Sequence, residues 1–148
     1  MSKSNTFEND LLLLIFNNTD IANIGDAGGL QNSAAAGDLY VALHTGDPGE
    51  AGTAATNEAA YGSYDRVAVA SSGAGWTVAG NSATNAALVQ FPECTSGSET
   101  ITHVSITVGG TPTTADKILY SGALSASRSV SSGIQPQFAA SALTITED

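Results

Sequence analysis

The amino-acid sequence predicts a mainly β protein: an antiparallel β-sandwich or jelly-roll-like domain with a short N-terminal helix or extended arm. Three observations lead there. Short apolar–polar alternations recur along the chain, Leu39-Tyr40-Val41-Ala42-Leu43-His44 being the clearest, and alternation at period two marks a strand with one covered face. Clusters of Gly, Pro, Asn and Ser separate these alternations, as at Gly46-Asp47-Pro48-Gly49, Gly80-Asn81 and Gly109-Gly110. Apart from a turn near Asn57 to Tyr61, no segment of helical period lies between strands to serve as a crossover, which disfavours alternating βαβ units.

Asn5 to Phe16 reads as a helix that Ser4 or Asn5 can cap, with Glu8 and Asp10 in the first turns, where the helix dipole favours anions. Phe7, Leu11, Leu14 and Ile15 form its apolar stripe, and Asn17-Asn18-Thr19 stops it. The alternative for this segment is an extended arm lying on a neighbouring subunit. From Asp20 to Gly37 the chain is rich in Gly, Ala and Asn, a linker that Ile21, Ile24 and Leu30 pin down. Residues 1–37 are thus an N-terminal helix or arm with its linker, and residues 38–148 a β-sandwich body. In that body Leu39–His44, Asp65–Ala70, Trp76–Val78, Ala86–Phe91, Ile101–Val108, Ile118–Tyr120, Arg128–Val130 and Leu143–Ile145 read as strands. No internal repeat of fixed period occurs, which disfavours a solenoid or a repetitive fibre shaft.

Composition narrows the function. At 148 residues the chain has one domain's length, and Cys94 is its only cysteine, so no internal disulfide and no Cys/His zinc spacing is available. Fourteen acidic residues against four basic ones give a net charge of −10. The cations Lys3, Arg66, Lys117 and Arg128 form no sequence cluster, and nucleic-acid binding needs clustered Lys and Arg. Neither nucleic acid nor an anionic membrane is expected as a partner. The one long apolar run, Leu11 to Phe16, is far short of the roughly 20 residues that span a bilayer. Charged residues are only 12% of the chain, against roughly 25% in ordinary domains. Small polar residues replace them, and short side chains lose little rotamer entropy when a neighbouring subunit covers them.

No motif of the chain carries a recognisable chemistry. His44 and His103 lie inside strand patterns, without the oriented partner that a catalytic or ligating histidine needs. Cys94 follows Glu93, a setting that disfavours the thiolate. Asp47 and Glu50 flank a turn and Asp26 sits in a Gly-rich loop, but the alternating ligand spacing of a calcium loop is missing. Gly25-Asp26-Ala27-Gly28-Gly29 lacks the lysine of a phosphate-binding loop. No catalytic, cofactor-binding or metal-ligating residue is assigned, and the chain is not expected to be an enzyme. A small glycan hydrolase, whose paired carboxylates would converge only in space, is the weakest of the readings weighed.

The block Leu39-Tyr40-Val41-Ala42-Leu43-His44-Thr45-Gly46-Asp47-Pro48-Gly49-Glu50-Ala51-Gly52, with Asn57-Glu58-Ala59-Ala60-Tyr61 and Tyr64-Asp65-Arg66-Val67-Ala68-Val69 after it, resembles a family of small tailed-phage virion proteins. Their labels are tail-fibre-like, capsid-fibre or head decoration protein. Trp76-Thr77-Val78, Phe91-Pro92, Ile101 to Ile106, Leu119 to Leu124 and Ala142 to Asp148 extend the likeness over most of the chain. Asp65 stands where the family pattern commonly has a small or hydroxyl residue. The resemblance implies a structural virion protein without cofactor. Its leading form is a capsid decoration (cement) protein that binds the major capsid protein on the outer head surface as a homotrimer. The alternative is a tail-fibre or receptor-binding component. Candidate interface residues are Phe7, Leu11, Leu14 and Ile15 on the helix, together with Tyr40, His44 and Arg66. Tyr40 and His44 would face a neighbour or solvent, and Arg66 would form an ion pair within or between subunits.

Overall fold

A computed structural model describes residues 2–25 and 28–147. Met1, Asp26, Ala27 and Asp148 lie outside the described residues, and with them the Asp26 carboxylate weighed above as a calcium ligand. Among the described residues one helix, α1 (Asn5–Asn17), precedes nine strands. They are β1 (Asp38–His44), β2 (Val67–Ala70), β3 (Trp76–Ala79), β4 (Ser82–Asn85), β5 (Val89–Gln90), β6 (Ser98–Thr107), β7 (Ile118–Ser131), β8 (Gln137–Phe138) and β9 (Thr144–Thr146). The fold is mainly β, in keeping with a sandwich carrying an N-terminal helix. β1 with β6, β3 with β4, β4 with β9, and β6 with β7 all pair antiparallel. Three sheets result, in the orders β2-β1-β6-β7, β3-β4-β9 and β5-β8.

The chain divides into two units, interleaved in sequence. The first comprises Met1–Asp38, Val69–Leu88 and Phe138–Asp148; the second comprises Leu39–Ala68 and Val89–Gln137.

In the first unit the Ser4 hydroxyl caps α1 by accepting from the Phe7 N–H at 3.3 Å. Asn18 closes the helix in the left-handed region at φ 52°, where Asn is better tolerated than most residues. That residue also anchors the linker: its side chain donates to the Ser33 carbonyl and accepts from the Ser33 N–H, each at 3.0 Å. A two-way backbone bridge between Ile21 and Leu30 closes the loop ahead of it. Gly29, at φ 71°, passes so close that a Cβ there would lie 1.9 Å from the Ile21 carbonyl oxygen, so only glycine fits. Phe16 meets Trp76 edge-to-face at 4.8 Å, both fully buried. Gly80-Asn81 is the two-residue hairpin loop joining β3 to β4, with Gly80 at φ 59°. Asn85, also fully buried, donates to the carbonyls of Ala87 and Ala139 and accepts from the Leu143 N–H, tying three stretches of chain together.

The stripe expected on α1 needs correction. Its deeply buried positions are Glu8, Leu12 and Phe16, whereas Phe7, Leu11, Leu14 and Ile15 are half-buried. Leu11 to Phe16 offers an apolar side chain at every helical phase, so sequence alone does not fix which line faces inward. The contact of Phe16 with Trp76 selects it.

In the four-stranded sheet β1 lies between β2 and β6, an interior strand. Leu39, Val41, Ala42, Leu43 and His44 are all buried. Successive strand side chains point to opposite faces, so this strand is covered on both. β7 is the last strand of the same sheet. It contains a large bulge: Ile101 pairs with Arg128 and His103 with Ala123, which leaves Leu124–Ser127 opposite Thr102 alone.

Candidate functional site

A dense polar cluster is built around Arg66, in the second unit. The turn Thr53–Asn57 carries the chain back to β1, with Asn57 at φ 53° and its side-chain amide donating to the Asp47 carbonyl at 3.0 Å. Backbone bonds from Thr45 N–H to the Asn57 carbonyl and from Ala59 N–H to the Leu43 carbonyl then dock residues 57–59 on the end of β1. Glu58 bridges to His44 in that pairing. On the other side the Ala54 N–H donates to the Asp116 carbonyl, which brings in the loop that leads to β7.

Arg66 fills the space between them. Its Nε donates to Glu58 Oε1 at 2.6 Å and its Nη2 to Glu58 Oε2 at 3.0 Å, a bidentate pair. Nη1 donates to Asp116 Oδ2 at 2.7 Å and to the Gly109 carbonyl at 2.9 Å, and Nη2 also reaches the Thr114 carbonyl at 2.9 Å. A guanidinium has five N–H donors, and each has an acceptor here. The Arg66 side chain is 0% exposed, that of Glu58 3% and that of Asp116 23%. Burial alone lowers the guanidinium pKa, but the hydrogen bonds and charges of Glu58 and Asp116 outweigh it and hold it above its ordinary value. Glu58 accepts further from the Thr113 N–H at 2.8 Å and from the Tyr64 hydroxyl at 3.2 Å.

Tyr64 links this cluster to the sheet, because its hydroxyl also accepts from the Leu43 N–H at 3.0 Å. Burial raises its pKa well above the ordinary tyrosine range, so it stays a donor toward Glu58. Tyr61, whose ring meets Tyr64 at 5.3 Å and whose hydroxyl donates to the Pro92 carbonyl, is pushed up to about 12, chiefly by burial.

His44 is fully buried, against the expectation that it faces solvent or a neighbour. Its Nδ1 lies 2.9 Å from the Thr56 carbonyl oxygen and its Nε2 lies 2.8 Å from Ser105 Oγ. A carbonyl only accepts, so Nδ1 carries the proton and Nε2 accepts from the serine. Burial lowers the pKa, which favours this neutral form. An imidazole held at both nitrogens by a backbone carbonyl and a structural serine is a packing element. Alternation in β1 mispredicts it because a central strand covered on both faces has no solvent side.

Of the other sequence-derived candidates, Tyr40 is half-buried, its ring lying over Gly110, where an added Cβ would come within 2.3 Å of it. Arg66 forms its ion pairs within the chain. Phe7, Leu11, Leu14 and Ile15 belong to the first unit. Sequence reasoning missed Glu58, Tyr64 and Asp116; Arg66 stands out as a cation in so acidic a chain, but nothing in the spacing marks its acceptors. His103 is half-buried, with Nδ1 2.9 Å from Thr102 Oγ1. Cys94 is buried, and its thiol donates to the Ser96 carbonyl at 3.2 Å. Among the described residues no three His, Cys, Asp or Glu side chains converge as a metal-binding group.

This arrangement is one of internal satisfaction, suited to holding loops rigid. Residues 2–146 match the family described as Podophage GP4 fiber I protein gp80. The chain belongs to that family. Membership makes it a structural protein of the tailed-phage virion, as the resemblance implied. Nearly the whole chain is matched, so both units fall inside the family pattern. A comparison with curated proteins gives no match.

Proposed function

We propose that this chain is a fibre subunit of a podophage virion, present as several joined copies, with an adhesive and structural role and no catalytic one. The family match over residues 2–146 carries the reading, since its description is of a fibre protein. The composition supports it: few charges and many small polar side chains suit subunit contacts that add through avidity. So does the Arg66 cluster, which locks the turns beside β1 without leaving a donor free for substrate.

A second reading, a decoration protein braced on the major capsid protein as a homotrimer, is favoured by the lack of any fixed-period repeat from which a long shaft could be built. Copy number separates the two. Purified particles are digested and this chain is quantified against the major capsid protein by mass spectrometry. A handful of copies per particle supports the fibre; a count comparable to that of the capsid protein replaces it with decoration.

A further inference from the structure

We infer that the outer edge of β7, flanked by Lys117 and carrying Arg128, is the surface on which a second copy of this chain docks, in a head-to-tail contact that sets this edge against the neighbour's carboxylates. The inference rests on the multi-copy reading above and names the surface that joins the copies.

Three observations carry it. The first is topological. β7 ends the sheet order β2-β1-β6-β7, and no described strand pairs with its outer side. An edge of 14 residues is a long row of backbone donors and acceptors, which proteins ordinarily blunt with Lys, Pro or bulges. Here there is no proline; a large bulge interrupts the middle and a one-residue shift falls at Leu119, leaving Tyr120–Ala123 and Arg128–Ser131 as regularly paired stretches.

The second is exposure. Ser121 to Ala123 and Ser125 to Ser129 are exposed without a break other than half-buried Leu124. Consecutive exposed residues in a strand mean that both faces are bare, since side chains alternate. Over this stretch, between half-buried Tyr120 and buried Val130, β7 is open on two faces and one edge and is incompletely covered by its own chain.

The third is charge. Of the four cations, Lys3 pairs with Glu147 at 3.1 Å and Arg66 is enclosed by Glu58 and Asp116. Lys117 and Arg128 are the two that stand exposed without an ion pair among the described residues, and both belong to this edge. No acidic residue occurs between Lys117 and Thr146. Elsewhere Asp47, Glu50, Asp65 and Glu93 are exposed. Two copies at net charge −10 repel in most orientations. Setting this edge on an acidic surface of the neighbour turns that repulsion into attraction. A two-fold contact of edge on edge would instead face cations with cations. A head-to-tail contact avoids this, and it closes into rings such as trimers or continues as a filament.

The test uses the purified full chain, sedimented over a concentration series at low and high salt, beside the double variant Lys117→Glu/Arg128→Glu and the control Lys3→Glu. The expected result is assembly that salt weakens. The double variant should raise the dissociation constant about tenfold or more, with an unchanged circular dichroism spectrum, while the control behaves as wild type. If the charge reversal disturbs folding, Lys117→Gln/Arg128→Gln provides the same readout with a milder change. Assembly indifferent to both pairs of substitutions overturns the proposal, and so does a wild type that stays monomeric throughout. Assembly indifferent to the substitutions leaves the multi-copy fibre reading standing, a monomeric wild type removes its joined copies as well, and the assignment to a fibre falls if particles lack the chain or carry it at capsid-protein abundance.

Discussion

β1 and β7 belong to one sheet, separated by β6 alone, yet they obey opposite rules. Along β1 five of seven side chains are buried, and the polar ones among its neighbours are matched partner for partner. Along β7 a run of small side chains faces water on both sides. The difference teaches that one sheet can be frame at its centre and contact surface at its rim. The frame is specified by interactions within the chain, whereas the rim is specified by what it omits: bulk, acidity and a partner strand.

Substitutions that break the frame should therefore be costly, and those at the rim should not be. The largest effect is expected for Arg66→Met. It leaves Glu58 buried without its cation and strips three carbonyl or carboxylate partners of their donor, so urea denaturation should show a loss of about 3–5 kcal/mol. Arg66→Lys should recover only part of it, because an ammonium cannot reproduce the bidentate fork. Next comes His44→Leu, which orphans Ser105 Oγ and the Thr56 carbonyl and should cost about 1–3 kcal/mol in the same assay.

The same histidine gives a smaller, graded effect. Its folded pKa lies below its ordinary value of 6.5, so the unfolded chain takes up a proton first as pH falls. The stability that His44 contributes is complete above 6.5 and is lost as pH drops below it, levelling off beneath the folded pKa. Thermal melts across this window should show a slope for wild type that is reduced in His44→Leu. Smallest of all, Ser125→Thr or Ser127→Thr on β7 should change folding stability by no more than about 0.5 kcal/mol. A large loss there would mean that the chain itself covers the rim, and the contrast with β1 would fail.

How far the sequence disclosed this architecture depends on what each segment is covered by. Leu39–His44, Trp76–Val78 and Ile101–Val108 show in the pattern because burial leaves its period on apolar residues. β4, Ser82-Ala83-Thr84-Asn85, has too little contrast between its faces to read, and only its hairpin turn hints at it. β7 reads as two short strands, since an element exposed on both faces carries no apolar period between Tyr120 and Val130. The helix is legible, with its cap, but its inward line is not. In the polar cluster Arg66 is conspicuous in so acidic a chain, whereas its partners Glu58 and Asp116, 8 and 50 residues away, come together only through the fold. The inward turn of His44 depends likewise on Ser105, 61 residues on.

Cys94 offers one more use of the frame. Its backbone N–H donates to the Ile134 carbonyl, its carbonyl accepts from the Gly133 N–H, and its sulfur is sealed from solvent. As the chain's single thiol it is a built-in clock: a sulfhydryl reagent can reach it only when this corner opens. The reaction rate of the free chain, set beside that of the same chain on a particle, would time how much the virion slows that breathing, with no label to introduce.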